Sequence, residues 1–241
     1  MKKVALVTGG SRGIGAAIVK SLAEDHAVCI NYQSSKDQAN ELANLIQKQQ
    51  GIAIAVPANI RSEQEIIELF NIVDHKFGPI TTLINNAGVT GVVGELVDNT
   101  FDNIHNIFAT NVFSTFITCR EAIKRMKNHG GNIVNITSEA AKYGGNKIAA
   151  YASSKAAINT LTIGLAREVA KYNIRVNAVS PGVIDTEMQQ NASRERIQQL
   201  INAIPMGRMG NIDEVASLVK WLVSEKASYI SGAIIPVAGG R

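Results

Sequence analysis

The 241-residue sequence predicts an α/β fold, a three-layer, doubly wound parallel sheet of about seven strands with helices on both faces. Short β-branched runs alternate along the chain with longer stretches in which apolar residues recur at helical spacing. Such alternation is typical of parallel βαβ units joined by right-handed crossovers. Hydrophobic residues make up 46% of the chain and aromatic residues 5%, which favours close helix-on-sheet layers over an aromatic-rich sandwich.

The individual elements follow in order along the chain. We predict strands over residues 4–8, 27–32, 52–57, 81–85, 132–137, 174–180 and 234–237. We predict helices over residues 14–23, 36–49, 63–77, 98–109, 112–127, 152–171 and 212–224. Linkers, repeats and low-complexity segments are absent from the sequence, so we expect one domain spanning residues 1–241. In a sheet of this kind, ligands bind beyond the carboxyl ends of the strands.

The charge pattern argues against a nucleic-acid partner. The formal net charge is +4, and the densest basic cluster has helical spacing: Arg120, Lys124, Arg125 and Lys127. We interpret this cluster as a solvated helix face rather than a nucleic-acid patch. A mild positive excess favours anionic small ligands such as phosphates.

The cysteines and the apolar runs indicate the compartment. Cys29 and Cys119 each lie in an apolar stretch, which favours two reduced, buried thiols over a disulfide or a metal site. The first apolar stretch is too short for a signal peptide, and no apolar run reaches the ~18 residues of a membrane span. We therefore expect a cytoplasmic protein without a metal and without a membrane partner.

A glycine-rich loop joins the first predicted strand to the first helix, and it reads Thr8-Gly9-Gly10-Ser11-Arg12-Gly13-Ile14-Gly15. Glycine allows a tight turn and close approach of the backbone to a ligand, and the helix that follows offers free N–H groups to a pyrophosphate. The glycine spacing is wider at first than in G-x-G-x-x-G, and the loop lacks the Gly-Lys-Ser/Thr of a P-loop. A plain tight connection is the alternative. The position after an N-terminal strand favours a dinucleotide, held by Gly9, Ser11, Arg12, Gly13, Ile14 and Gly15.

The end of the second strand bears on which dinucleotide binds. An NAD site usually has an acidic residue there, which accepts a hydrogen bond from the ribose 2′-hydroxyl. Residues 30–36 contain no acid, and the candidate contacts are Asn31, Tyr32 and Ser34. With Arg12 in the glycine loop, this favours NADP(H) over NAD(H). The alternative for Arg12 is a solvated loop residue.

Tyr151 and Lys155 form the candidate reacting pair, because residues i and i+4 share one helix face. An ammonium ~4 Å from a phenol stabilises the phenolate by up to about 4 kcal/mol at an effective dielectric constant of about 20. We therefore expect Lys155 to lower the pKa of Tyr151 and to make it a general acid/base. An ordinary amphipathic pair is the alternative at this common spacing.

Two strand ends add polar residues near the pair. Ser138 follows the fifth strand, where its hydroxyl could bind a substrate oxygen. The fourth strand ends in small polar residues that suit a cofactor ribose, namely Asn85, Asn86, Ala87 and Gly88. A polar helix-capping turn is the alternative for this second segment.

Together these motifs resemble the short-chain dehydrogenase/reductase family over essentially the entire chain. The resemblance rests on Thr8-Gly9-x-x-x-Gly13-x-Gly15, Asn85-Asn86-Ala87-Gly88, Ser138, Tyr151-x-x-x-Lys155 and Pro181-Gly182, in this order and spacing. It implies a Rossmann fold and a catalytic tetrad of Asn111, Ser138, Tyr151 and Lys155. In that family the tyrosine transfers the proton, the serine orients the carbonyl, the lysine holds the ribose and the asparagine keeps a water in a relay.

The resemblance also implies further cofactor contacts. Asn59 and Ile60 would contact the adenine, although the family usually has aspartate in place of Asn59. Pro181, Gly182, Ile184 and Thr186 would meet the nicotinamide carboxamide. A mobile lid is expected over residues 186–205, and the family expectation is a homotetramer with Trp221 in a subunit contact.

The substrate is the least determined feature. We expect a general carbonyl reductase or alcohol dehydrogenase acting on a small-molecule substrate. A 3-oxoacyl-[acyl-carrier-protein] reductase is one alternative, which His129 and Tyr172 weaken because they stand at two positions that are basic in those enzymes. The chain's ending also looks closer to that of glucose-dehydrogenase-like members. A dinucleotide-binding sensor without turnover is the alternative from another class.

Overall fold

The computed structural model describes residues 3–187 and 194–241. These residues form a seven-stranded sheet in which all neighbouring strands are parallel. The strands are β1 (Lys3–Val7), β2 (His26–Tyr32), β3 (Ile52–Pro57), β4 (Thr82–Asn85), β5 (Gly131–Ile136), β6 (Ile174–Pro181) and β7 (Ile234–Val237). Their order is β3-β2-β1-β4-β5-β6-β7, so the direction of winding reverses between β1 and β4. The predicted fold class and strand number are confirmed, and this reversal marks the edge where a ligand is expected.

Helices cover both faces of the sheet. They are α1 (Gly13–Leu22), α2 (Lys36–Lys48), α3 (Glu63–Phe77), α4 (Phe101–Phe108), α5 (Ser114–Met126), α6 (Ala140–Tyr143), α7 (Ala149–Val169), α8 (Arg194–Asn202) and α9 (Ile212–Leu222). Helices α1, α2 and α9 pack on one face, and α3, α5 and α7 pack on the other. Alternate residues of β1 therefore enter opposite cores, with Val4 and Leu6 in one and Ala5 and Val7 in the other. Burial on both faces explains why the strands are continuous apolar runs.

The region between β4 and β5 differs from the prediction of two separate helices. Helix α4 continues through a π-helical turn, Ala109–Phe113, directly into α5. Two side-chain hydroxyls just after this turn donate hydrogen bonds to carbonyls four residues earlier: Ser114 to Thr110, and Thr115 to Asn111. Such π-helical turns are frequent at functional sites. Asn111, whose position between the two predicted helices would alone suggest a helix cap, instead lies buried inside the turn.

Helix α7 begins three residues earlier than predicted, which places Tyr151 in its first turn. The expected lid, residues 186–205, contains α8, while residues 188–193 lie outside the described part of the chain. Backbone hydrogen bonds connect the residues that flank this segment on its two sides. Asp185 donates its N–H to Gly210 at 2.9 Å, and Gly210 donates its own to Val183 at 2.9 Å. Within the described residues, no helix is long and apolar enough to cross a membrane.

Candidate active site

A cavity of about 580 Å³ lies at the carboxyl ends of the central strands, where the winding reverses. Most of the predicted site residues line it: Gly9, Ser11, Arg12, Gly13, Ile14, Gly15, Asn31, Tyr32, Ser34, Ile60, Asn86, Ala87, Gly88, Ser138, Tyr151, Lys155, Pro181, Gly182, Ile184 and Thr186. The glycine-loop residues and the candidate reacting residues therefore share one cleft.

Three predicted residues are not among those that line the cavity: Asn59, Asn85 and Asn111. Asn59 accepts the Arg61 N–H at 3.1 Å, and its own N–H donates to Glu65 at 2.7 Å, so it shapes the turn that leads into α3. Asn85 is buried between the sheet and α5, where it donates to Asn135 at 2.9 Å and accepts from Thr118 at 2.7 Å. These hydrogen bonds favour a structural role for the side chains of Asn59 and Asn85 over direct contact with a cofactor.

The glycine loop fits a pyrophosphate. Gly13 has φ +53°, and a Cβ placed on it would project into open space with only Thr186 within reach, at 4.0 Å. Both residues line the cavity, so the missing side chain keeps the cleft open. At Gly15 a Cβ would lie 2.3 Å from the Gly9 carbonyl oxygen, which makes glycine a packing requirement there. Helix α1 begins at Gly13 without a side-chain cap or an acid in its first turn, which leaves its N–H groups for an anion.

The loop after β4 is tied to the glycine loop by its asparagine. The Asn86 side-chain amide donates to the carbonyls of Thr8 and Gly9 at 3.1 and 2.9 Å. In return, the Thr8 hydroxyl accepts the backbone N–H groups of Asn86 and Ala87 at 3.0 and 3.1 Å. The segment predicted to contact a ribose thus uses its polar side chain to fix the loop, and it presents Ala87 and Gly88 to the cavity.

The end of β2 contributes no carboxylate to the cavity wall, which at this point comprises Asn31, Tyr32, Gln33, Ser34 and Ser35. Across the mouth, Arg12 pairs with Glu187 at 3.1 Å, and both side chains are more than half exposed. Exposed pairs of this kind contribute about 0–1 kcal/mol, so a bound phosphate would compete readily for Arg12.

The two candidate hydroxyls meet at one end of the cleft. Tyr151 and Ser138 both line this part of the cavity, and the Ser138 hydroxyl accepts the Ala140 N–H at 3.2 Å. Burial raises the pKa of Tyr151, while the hydrogen bond from Ser138 acts in the opposite direction. Two hydroxyl groups side by side can both bind one carbonyl oxygen.

The expected effect of Lys155 on Tyr151 is wrong for this structure. The Lys155 Nζ donates to the Ile136 carbonyl at 2.8 Å and lies 5.8 Å from the centre of the Tyr151 ring. The pKa of Tyr151 is raised rather than lowered, because burial outweighs any stabilisation of the phenolate. Burial also lowers the pKa of Lys155 itself to about 8. Helix spacing placed the two residues on one face, but β5 determines where the ammonium binds.

The Asn111 side chain has protein partners for both of its polar atoms. Its Oδ1 accepts the Val89 N–H at 2.8 Å, and its Nδ2 donates to the Val89 carbonyl and to the Ser154 hydroxyl, each at 2.9 Å. Ser154, fully buried on α7, in turn donates to the Tyr151 carbonyl at 2.7 Å. Asn111 therefore joins the loop after β4 to the helix that carries Tyr151 and Lys155.

Sequence reasoning missed several residues of the cavity wall, namely Gln33, Ser35, Ala58, Val89, Thr110, Ile136, Thr137 and Glu187. Each lies within two residues of a predicted site residue, and this proximity was the available signal. The pairing of Glu187 with Arg12 had no signal in the sequence, because it depends on how the chain returns after β6. The described residues contain no group of three potential metal ligands, and the two cysteines are free and buried.

Comparison with known proteins agrees with the geometry. A family model described as "Enoyl-(Acyl carrier protein) reductase" matches residues 9–241. The chain belongs to the short-chain dehydrogenase/reductase family of oxidoreductases, which use a nicotinamide cofactor.

Several curated relatives cover nearly the whole chain. "Uncharacterized oxidoreductase YgfF" of Escherichia coli (strain K12) is 43% identical over 99% of both chains. "Glucose 1-dehydrogenase 2" of Bacillus subtilis (strain 168) is 35% identical over 99% of this chain and 94% of its own. A "3-oxoacyl-[acyl-carrier-protein] reductase FabG" of Staphylococcus epidermidis is 36% identical over 100% of this chain and 99% of its own.

Solved structures agree at the level of the fold. A short-chain dehydrogenase/reductase from Serratia marcescens BCRC 10948 has a TM-score of 0.94 at 39% identity, with 99% of this chain and 97% of that one covered. A blue fluorescent protein from a metagenomic library, in complex with NADPH, has a TM-score of 0.93 at 34% identity with the same coverage.

Proposed function

We propose that this protein is an NADP(H)-dependent oxidoreductase that transfers a hydride between the nicotinamide and a carbonyl or secondary-alcohol substrate. One observation carries the proposal above the others. Ser138 and Tyr151 line the same cavity as a glycine loop shaped for a pyrophosphate.

The nicotinamide, when bound, supplies or accepts the hydride. In the direction of reduction, the hydroxyls of Ser138 and Tyr151 bind the substrate oxygen, and Tyr151 donates its proton to that oxygen. The raised pKa of Tyr151 keeps the phenol protonated and ready to donate. Lys155 lies at the floor of the cleft, where its ammonium favours an anionic oxygen, and Asn111 positions the loop against which the cofactor would lie.

A preference for NADP(H) over NAD(H) has two supports in the described residues. The cavity wall at the end of β2 has no carboxylate to repel a 2′-phosphate, and the exposed pair of Arg12 with Glu187 at the mouth is weak enough for a phosphate to displace. A similar fold binds NADPH in the metagenomic fluorescent protein.

A second candidate is reduction of 3-oxoacyl groups on an acyl carrier protein. The FabG relative favours it, since it matches the whole chain. His129 and Tyr172 precede β5 and β6, so they lie at the amino-terminal edge of the sheet, opposite this chain's own cleft. An acidic carrier protein docking at this cleft would not meet them on the same chain.

The discriminating experiment follows NADPH and NADH oxidation over a panel of ketones, 3-oxoacyl thioesters and sugars, with product identification. We expect reduction of simple or hydroxylated carbonyls, with NADPH preferred. Reduction of 3-oxoacyl carrier-protein thioesters alone would favour the second candidate. Tight NADPH binding with no turnover of any substrate would contradict the proposal and favour a dinucleotide sensor.

The proposal includes one cytoplasmic domain that assembles as a homotetramer. The assembly is supported by aromatic side chains left on the surface of the π-helical turn, α5, α9 and the loop after α9, namely Phe113, Phe116, Trp221 and Tyr229. Analytical ultracentrifugation tests the assembly, because the subunit mass is 25.8 kDa. Sedimentation as a monomer at micromolar concentration would contradict it.

A further inference from the structure

Lys155 carries a buried amine at the wall of the cleft. The residue is almost fully buried, yet it lines the cavity together with Ser138 and Tyr151. Gly88, which also lines the cavity, leaves the Lys155 Nζ uncovered, because a Cβ built on this glycine would lie 3.3 Å from Nζ. A small molecule that enters the cleft therefore reaches the amine.

No countercharge in the described part of the chain holds this amine in its protonated form. The Lys155 Nζ donates to the Ile136 carbonyl at 2.8 Å, and burial lowers the pKa of the amine to about 8. The titratable side chain beside it is Tyr151, whose ring centre lies 5.8 Å from Nζ. The other charged residues of the cavity wall, Arg12 and Glu187, pair with each other at the mouth. A neutral Lys155 keeps one N–H for Ile136 and has a free lone pair, and desolvated lysines of this kind attack carbonyl groups.

We propose that Lys155 is a covalent modification site for small aliphatic aldehydes, whose carbonyl carbon condenses with its amine to an imine when no cofactor fills the cleft. In this step Nζ bonds to the aldehyde carbon, and the carbonyl oxygen takes up both protons of the neutral amine and leaves as water. The step transfers no electrons, so it needs no oxidant or reductant. Aldehydes that arrive before the cofactor therefore inactivate the protein, because Lys155 is then blocked.

The fraction of free amine determines how selective the reaction is for this lysine. At pH 8 about half of an amine with a pKa of about 8 is unprotonated, whereas an ordinary exposed lysine, with a pKa of about 10.4, is unprotonated to about 0.4%. The difference corresponds to on the order of a hundredfold more reactive amine. A less basic group is also a weaker nucleophile, which reduces the expected rate advantage to about tenfold or more.

Trapping with butanal and cyanoborohydride tests the inference, because cyanoborohydride reduces the imine to a stable butyl-lysine that peptide mass spectrometry locates. In the full-length protein without cofactor at pH 8, Lys155 should be labelled about tenfold or more faster than Lys20 and Lys48, two exposed lysines of the same chain. NADP⁺ and NAD⁺ are then added together, since the oxidised forms cannot reduce butanal. At about ten times the Kd of the cofactor that binds, labelling of Lys155 should slow about tenfold, and labelling of Lys20 and Lys48 should not change.

Two glycine variants on the loop after β4 test whether the amine is reached from the cleft. Gly88→Ala places a methyl group against Nζ, so labelling of Lys155 should slow severalfold. Gly94→Ala is the matched control, because a Cβ at Gly94 meets no atom within 4 Å, and it should leave the labelling unchanged. In the wild type, the ratio of labelling at Lys155 to that at Lys20 should fall about tenfold or more between pH 8 and 10, because ordinary lysines gain most of their free amine above pH 8.

Labelling of Lys155 that is no faster than that of Lys20 and Lys48, or that is equally fast with and without the oxidised cofactors, would overturn the inference. The imine forms without hydride transfer, so this proposal and the proposed function fail in different ways. A protein that reduces ketones but is not labelled selectively at Lys155 would reject the modification site alone. A protein that is labelled at Lys155 but oxidises NADPH with no carbonyl of the wider panel would reject the proposed function alone.

Discussion

Helices α5 and α7 pack on the same face of the sheet, and each buries a charged residue in a different way. Glu121 on α5 is 3% exposed and accepts hydrogen bonds from Arg120, Lys124 and Arg125. Burial alone would raise the pKa of Glu121, but these bonds outweigh it and lower the pKa. Lys155 on α7 is 5% exposed, and within residues 3–187 and 194–241 its ammonium has only the backbone carbonyl of Ile136 as a hydrogen-bond partner.

The difference separates a structural charge from a candidate functional one. The α5 cluster is extended to α3, because Arg125 also pairs with Asp74 at 2.6 Å, and Arg120 pairs with Glu63 at 2.6 Å. Most of the basic face noted in the sequence is thus matched by acids of the same chain. Lys155 has no acidic partner among the described residues, and it lines a cavity. A buried ammonium without a countercharge is costly, which favours a ligand-binding role.

The largest expected effect concerns Tyr151, which lines the same cavity as Lys155 and is therefore expected to affect activity rather than stability. Tyr151→Phe removes the proton donor while keeping the ring, so kcat should fall by about a thousandfold or more. NADPH binding, measured by fluorescence titration, should change by less than about threefold because the substitution removes a single hydroxyl. Turnover close to the wild-type rate would show that another group transfers the proton.

The next prediction removes each of the two buried charges in turn. Lys155→Met should lower kcat/KM by about a hundredfold, as expected for loss of a positioned charged group, with equal or higher stability. Glu121→Gln should keep kcat/KM within about twofold and lower the free energy of unfolding by about 1–3 kcal/mol, because three cations lose their partner. Urea unfolding and steady-state kinetics on both variants measure this. An inactive but stable Glu121→Gln protein would break the comparison.

Stability should also depend on pH through Lys155. Its pKa is lowered from 10.5 to about 8 by burial, so the unfolded chain binds more protons between these values. Stability should therefore rise with pH in this window, and the penalty is fully present only below pH 8. Relative to Lys155→Met, the wild type should gain about 2 kcal/mol between about pH 7.5 and 9.5. A pH-independent difference between the two proteins would indicate that Lys155 has the same pKa in the folded and the unfolded state.

The smallest effect lies at the cleft mouth. Arg12→Ala should raise the Kd for NADPH by about tenfold, since it removes a charge-assisted bond to a phosphate, and should change the Kd for NADH by less than about twofold. Glu187→Gln frees Arg12 from its exposed partner and should tighten NADPH binding slightly. Arg167→Ala, on an exposed position of α7, is the control. Equal losses for both cofactors in Arg12→Ala would place Arg12 away from the 2′-phosphate.

The same contrast explains what the sequence could predict. The strands were predictable because residues buried on both faces form continuous apolar runs, and the cofactor loop because glycine is required where a side chain would fill the cleft. The partners of Asn111 were not, since Val89 and Ser154 lie 22 and 43 residues away along the chain. The raised pKa of Tyr151 was not predictable either. It depends on how deeply the residue is buried, whereas helix spacing gave only the proximity of Lys155.

The Glu139 side chain shows the same limit of sequence reasoning. Glu139 directly follows Ser138 in the sequence, but the hydroxyl that donates to its carboxylate belongs to Ser180, 41 residues further along the chain. The meeting of the carboxyl ends of β5 and β6 at one edge brings the two together. Motifs confined to one loop are therefore readable from sequence, whereas contacts between loops need the fold.

Isotope transfer tests the central claim most directly, that the cleft of Ser138, Tyr151 and Lys155 transfers a hydride to a carbonyl carbon. The measurement uses NADPH deuterated at the nicotinamide 4-position, with hydroxyacetone and 2-butanone as substrates and mass spectrometry of the alcohol product. We predict one deuterium on the former carbonyl carbon with the wild-type protein, and no labelled product with Tyr151→Phe over the same time. Alcohol formed without deuterium on that carbon from either face-labelled cofactor, or equal labelled product from Tyr151→Phe, would contradict the claim.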